Sequence, residues 1–206
     1  KIQAYRTWYR RLIDYAAQAW LSVYLTTDVM FYHQSIDKPG CTTIPEVASR
    51  MKTAIEQVFA CFPSLGGIIT RIGESDGLDV ETEFRSRMVI RTPRDANSLL
   101  KQLLPIFEQY GKHLGFRTWS GGAYRVGDLI WNRNTLFRTF VDVNSTSLVS
   151  SIKYGETDFY RFLPLNKIFY YSNHQKIIEL QARREYEGSG EFPSFVGWDY
   201  ENYADQ

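Results

Sequence analysis

The sequence predicts an α/β protein of the (β/α)8 TIM-barrel type, in which residues 1–206 form a single, partial barrel domain with about six of the eight βα units. Short apolar, β-branched runs alternate with amphipathic stretches long enough to be crossover helices, the pattern of parallel βα units in a doubly wound sheet or a closed barrel. Several of those runs end in carboxylate clusters, and the C-terminal mouth of a parallel barrel is where polar inward residues build active sites. No GxGxxG or Walker sequence stands at a strand end, so the nucleotide-binding doubly wound sheet lacks its usual signature.

Taken in order, residues 1–19 place Tyr5, Trp8, Tyr9, Leu12, Ile13 and Ala16 at helical spacing, giving a helix whose broad apolar face needs something to lie on. Residues 21–30 read as a strand, followed by a loop through Pro39 and Gly40. A second helix opens with Thr43 as cap, Pro45 in the first turn and Glu46 three residues after the cap, and Val47, Met51, Ile55, Val58, Phe59 and Phe62 form its stripe up to Pro63. Residues 66–73 form the next strand and run straight into Glu74, Ser75, Asp76 and Gly77. Thr92 and Pro93 open a third helix with the stripe Leu99, Leu100, Leu103 and Phe107, a kink at Pro105 and a stop at Gly111.

Residues 114–119 form a strand with Arg117 near its end, and residues 128–141 a weaker helical pattern. The strand at 148–154 ends in Gly155, with Glu156, Thr157 and Asp158 just beyond. In residues 176–185, period two puts Ile178, Leu180 and Ala182 on one face and Glu179, Gln181, Arg183 and Glu185 on the other. A sixth strand falls at 195–198, so two βα units are missing from the N-terminal side.

The formal charge is +1, from 24 basic and 23 acidic residues, which gives no bulk electrostatic case for nucleic acid or an acidic membrane surface. Cys41 and Cys61 are the only cysteines, with no CxxC and no paired histidine spacing, so neither a disulfide framework, nor a metal site, nor any other cofactor is indicated. Aromatic residues make up 16% of the chain, a share that serves ordinary cores and also suits stacking on sugars. No apolar run approaches the roughly 18 residues of a membrane span. The chain begins at Lys1, inside an amphipathic pattern and without an initiator Met, which reads as a trimmed chain and leaves localisation open between cytoplasm and periplasm.

Five segments carry a family resemblance. LSVYLTTDVMF, CFPSLGGIITRIGESDG, LGFRTW, SSIKYGETDF and IIELQARREYEG follow in the order and rough spacing of segments in the catalytic barrel of the family 67 glycoside hydrolases, the α-glucuronidases, which the chain resembles from roughly that barrel's third strand onward. The resemblance implies Glu74 as general acid, Asp158 and Glu185 as the carboxylates that activate water, and Arg117 and Lys153 on substrate-binding positions, with Trp119 and Arg71 completing the pocket. The chain departs from the family where Thr70 replaces an expected lysine and Arg71 stands beside it. Strand alternation counted back from Glu74 puts Arg71 on the opposite face unless a bulge intervenes.

Other charged residues have plainer readings. Glu179 and Arg183 read as an inward ion pair, Glu156, Asp76, Asp79 and Glu187 as loop or cap residues, and His33, His113 and His174 lack partners at ligand spacing. The expected activity is inverting hydrolysis of a uronic-acid-bearing glycan of the xylan side-chain type, one carboxyl protonating the leaving oxygen while another deprotonates water. The alternatives are a non-catalytic carbohydrate-binding barrel and a related glycosidase acting on a neutral sugar. The expected partners are an oligosaccharide or polysaccharide substrate, with additional chain or a second copy at the open barrel edges, and neither nucleic acid nor membrane.

Overall fold

The computed structural model describes residues 1–29, 43–73, 88–119, 124–156 and 165–180, together with the backbone of 32–33 and 84–85. In chain order the elements are α1 (Ile2–Gln18), β1 (Tyr24–Asp28), β2 (Tyr32–His33), α2 (Ile44–Cys61), β3 (Gly67–Arg71), β4 (Phe84–Arg85), α3 (Pro93–Tyr110), β5 (His113–Arg117), α4 (Arg133–Phe140), β6 (Leu148–Lys153) and β7 (Gln175–Glu179). Five strands form one parallel sheet in the order β1-β3-β5-β6-β7, while β2 and β4 pair as a short antiparallel ribbon. The architecture is therefore α/β with a singly wound parallel sheet: strands follow their sequence order, and helices connect β1 to β3, β3 to β5 and β5 to β6. The strand expected at 195–198 lies outside the described residues.

The helices start where their caps place them. The Thr43 N–H donates to Glu46 Oε2 at 3.1 Å, and the Thr92 N–H donates to Asp95 Oδ2 at 2.8 Å while Thr92 Oγ1 accepts from the Asp95 N–H, so each box satisfies donors that an α-helix leaves open. Helix α3 continues through Pro105 and ends at Gly111, whose φ of 62° is the left-handed conformation that glycine adopts without a Cβ penalty. The expected helix at 128–141 is two pieces, a 3-10 turn at Gly127–Ile130 and α4. The break falls at Asn132, whose Oδ1 accepts from the backbone N–H groups of Asn134 and Thr135 and whose amide reaches Asp128 Oδ2 at 2.7 Å.

Ile68 and Ile72 on the β3 segment, Leu114 and Phe116 on β5, and Leu148 and Ile152 on β6 are buried in one cluster with Val47, Ile55 and Phe59 of α2, Leu99, Leu103 and Phe107 of α3, and Leu136 and Phe140 of α4. These alternate residues define the helix-facing side of the sheet, and the residues between them point the other way. Helix α1 departs from expectation. Only Ile13 of its face is buried, whereas Tyr5 and Trp8 are 56% and 58% exposed. It precedes β1, the outermost strand of the described sheet. Polar ties fix it to the turn after α2: Arg10 Nε donates to the Cys61 carbonyl at 2.9 Å, and Ser64 Oγ donates to Asp14 Oδ1 at 2.8 Å.

Candidate functional site

The parallel register lines up Asp28, Arg71, Arg117, Ser151 and Ile177 as one row across the five strands, on the face turned away from the helices. The phase is set by their neighbours. Thr70 is 2% exposed and its hydroxyl donates to the Gly115 carbonyl, and Phe116 lies in the helix-side core, so the residues after them must project from the open face. One step further toward the C-terminal ends, Lys153 and Glu179 are register partners, and Trp119 follows Arg117 in the same alternation.

Two ion pairs occupy this row. Arg71 grips Asp28 with two parallel bonds, Nε to Oδ1 at 2.5 Å and Nη2 to Oδ2 at 2.9 Å, across adjacent strands. Arg117 reaches past β6 to Glu179 on β7, and its Nε–H is shared between Oε1 and Oε2 at 2.7 and 2.8 Å. Ser151, which lies between them, donates its hydroxyl to Oε1 at 2.8 Å. Beside this pair the Lys153 ammonium sits 3.5 Å from the centroid of the Trp119 ring, a cation–π contact made by a lysine that is 3% exposed. Among the described residues the set holds three cations, Arg71, Arg117 and Lys153, and two carboxylates, Asp28 and Glu179.

The opposite end of the same face is closed by a phenol and an imidazole. Tyr24, Gly67 and His113 share a row, and the Tyr24 hydroxyl meets His113 Nδ1 at 3.0 Å across the glycine. A Cβ on Gly67 would collide with the His113 carbonyl and the Tyr24 ring, so glycine is required for this closure. The polar, charged chemistry is thus confined to the C-terminal ends of the strands, where parallel α/β proteins build sites.

Four of the residues singled out in the sequence, Arg71, Arg117, Trp119 and Lys153, come together here. Arg71 shares the face of Arg117; its side relative to Glu74 falls outside the described residues, as Glu74 does. Glu179 is a correction, since the carboxylate read as the partner of Arg183 is held by Arg117 and Ser151. Glu74, Asp158 and Glu185, like Arg183, Asp76, Asp79, Glu187 and the side chain of His33, lie outside the described residues. His113 and His174 have structural partners, the latter with Nε2 2.6 Å from the Val143 carbonyl and Nδ1 3.0 Å from Ser172 Oγ.

The sequence reading missed Asp28 and Ser151. Asp28 is the last residue of an apolar, β-branched run and stands at a strand's C-terminal end like the other acids, a signal that was available. Ser151 carried none, because a lone serine inside a buried strand has no pattern of its own. Among the described residues no cluster of three or more His, Cys, Asp or Glu side chains is arranged to hold a metal, and no helix is long and apolar enough to cross a membrane.

No protein-family model matches the chain, and no curated protein matches it. Among solved structures, a D-tagatose 3-epimerase-like protein is similar at 13% identity with a TM-score of 0.39, over 71% of this chain. The chain spans 50% of the length of that protein.

Proposed function

We propose that the C-terminal face of the sheet binds a carboxylate-bearing sugar and that the chain is a glycoside hydrolase of the α-glucuronidase type, cleaving a uronic-acid-bearing glycan with inversion. One observation carries this reading: Arg117, Lys153 and Trp119, two cations and a large aromatic ring, stand together at the C-terminal ends of the neighbouring strands β5 and β6. A guanidinium matches a carboxylate's two oxygens, and an ammonium held on an indole adds a fixed point charge beside it.

The strand order supports the proposed division of labour. In sequence, Glu74 follows β3, Asp158 follows β6 and Glu185 follows β7, with β5 and its arginine in between. An inverting pair needs roughly 6.5 to 9.5 Å between its carboxyls so that one water fits between them. In this mechanism Glu74 protonates the leaving glycosidic oxygen while Asp158 or Glu185 takes a proton from the water attacking the opposite face of the sugar. Closure of the sheet into an eight-stranded barrel, with further strands beside β1 and β7, belongs to the same proposal.

The test compares hydrolysis of a glucuronosyl oligosaccharide with its glucosyl counterpart by the natural protein, Glu74→Gln and Arg117→Ala. Turnover confined to the uronate, abolished in Glu74→Gln with binding retained, and a preference lost in Arg117→Ala are the expected results. Equal use of both sugars defeats the uronate reading in favour of a neutral-sugar glycosidase. Binding without turnover leaves a carbohydrate-binding barrel.

A further inference from the structure

The two arginines of the row are held in different ways. Asp28 engages the Nε and Nη2 of Arg71 side-on and so occupies one edge of its donor fork. Glu179 engages Arg117 through Nε alone, with both carboxylate oxygens converging on that one N–H at 2.7 and 2.8 Å. Among the described residues, the two terminal amino groups of Arg117 have no partner, and the side chain is 21% exposed. From this contrast we infer that Glu179 and Ser151 are positioning residues, which lock the stem of Arg117 so that its two Nη groups face the cleft as a preset receptor for an anionic oxygen pair.

The row explains why such a device is needed. Arg71 is the register neighbour of Arg117 on β3, so two guanidinium groups start from adjacent strands and repel unless each is drawn away. Arg71 is drawn toward β1 by Asp28. The neighbour of Arg117 on β6 is Ser151, which carries no charge, and the carboxylate comes from the strand beyond. A bond across an intervening strand requires a small residue beneath it. Serine is small enough, and its hydroxyl donates to Glu179 Oε1 at 2.8 Å, fixing the carboxylate in turn. An arginine otherwise free in its χ angles must order itself when it binds, and holding it beforehand removes that entropic cost.

This inference rests on the proposed function for the identity of the anion, a sugar carboxylate, and on geometry alone for the positioning. The test therefore has two readouts, taken on the whole chain. The first needs no ligand: the Arg117 Nε–H resonance in 15N NMR should exchange slowly with water in the natural protein, exchange fast in Glu179→Gln, and fall between in Ser151→Ala. The second is the affinity for glucuronate against glucose. Removing the negative charge of Glu179 would by itself tighten anion binding, so weakening reports lost orientation. Glucuronate affinity is expected to fall about tenfold or more in Glu179→Gln and by a smaller factor in Ser151→Ala, which alters no charge, with glucose unaffected. Glu179→Asp should partly restore the protected signal. An Nε–H equally protected in Glu179→Gln and Ser151→Ala, or glucuronate bound as tightly or more tightly by both variants, overturns the positioning role. A natural protein that ignores glucuronate yet loses Nε–H protection in the variants supports the positioning and defeats the uronate reading.

Discussion

The two faces of the parallel sheet are built from the same strands, residue by alternate residue, and have nothing else in common. Facing the helices are Ile68, Leu114, Phe116, Leu148 and Ile152, each at most 5% exposed. Facing away are Asp28 and Arg71, joined by charge-assisted bonds, Arg117 and Glu179, joined in the same way, and Lys153, in cation–π contact with Trp119. The helix face holds the fold together through area removed from water. On the open face, desolvating each ion offsets much of what its pairing returns, so those residues add little net stability.

A matched pair of substitutions tests that division most directly. Ile152 on β6 is fully buried on the helix face, and Ile177 on the adjacent strand β7 is 45% exposed on the open face. Ile152→Ala leaves a cavity and should cost about 2 to 5 kcal/mol, whereas Ile177→Ala should stay within about 1 kcal/mol. Urea denaturation of the two variants measures the difference. Equal losses would mean that the open face is packed as tightly as the other.

Lys153 sharpens the comparison because it is charged and 3% exposed on the open face. Met keeps the length and the apolar stem and removes the ammonium alone. Lys153→Met is therefore expected to raise KM for a glucuronosyl substrate about tenfold while changing kcat less. An unchanged KM in steady-state kinetics removes Lys153 from the site.

Much of this contrast can be read from the sequence, and the rest cannot, for physical reasons. The runs of β3, β5 and β6 declare themselves because β-branched and aromatic residues recur at period two between turn residues, and the boxes at Thr43 and Thr92 announce α2 and α3. Arg117, Lys153 and Trp119 were within reach because their strands were. What escapes is information held between strands. Asp28 meets Arg71 and Ser151 meets Glu179 only once the register is set, and register is a long-range property. The aromatic periodicity of α1 predicts a helix correctly but does not specify what lies beside it.

The smallest expected effect concerns β7, the last strand of the described sheet, where the helix-side face carries Lys176. Lys176 alternates with Ile178 and Leu180 on that face, and its Nζ lies 5.5 Å from the centroid of the Phe169 ring. Burial of the ammonium pushes its pKa below the ordinary lysine value of 10.5. The charged form is thus disfavoured in the folded state relative to the unfolded chain. Below the folded pKa both states are protonated and the folded state bears the desolvation cost in full. As pH rises through the folded pKa toward the unfolded value, the unfolded chain binds more protons than the folded one, and stability increases over that window. Lys176→Met should remove the increment and leave the remaining lysines and tyrosines to set the alkaline limb. Chemical denaturation of the natural protein and of Lys176→Met at neutral pH and again near the lysine pKa gives the comparison as a difference of differences. The natural protein should gain on the variant as pH rises. If the gap between them is constant or widens in the variant's favour, Lys176 is solvated in solution, and the helix face of β7 is as open as its other side.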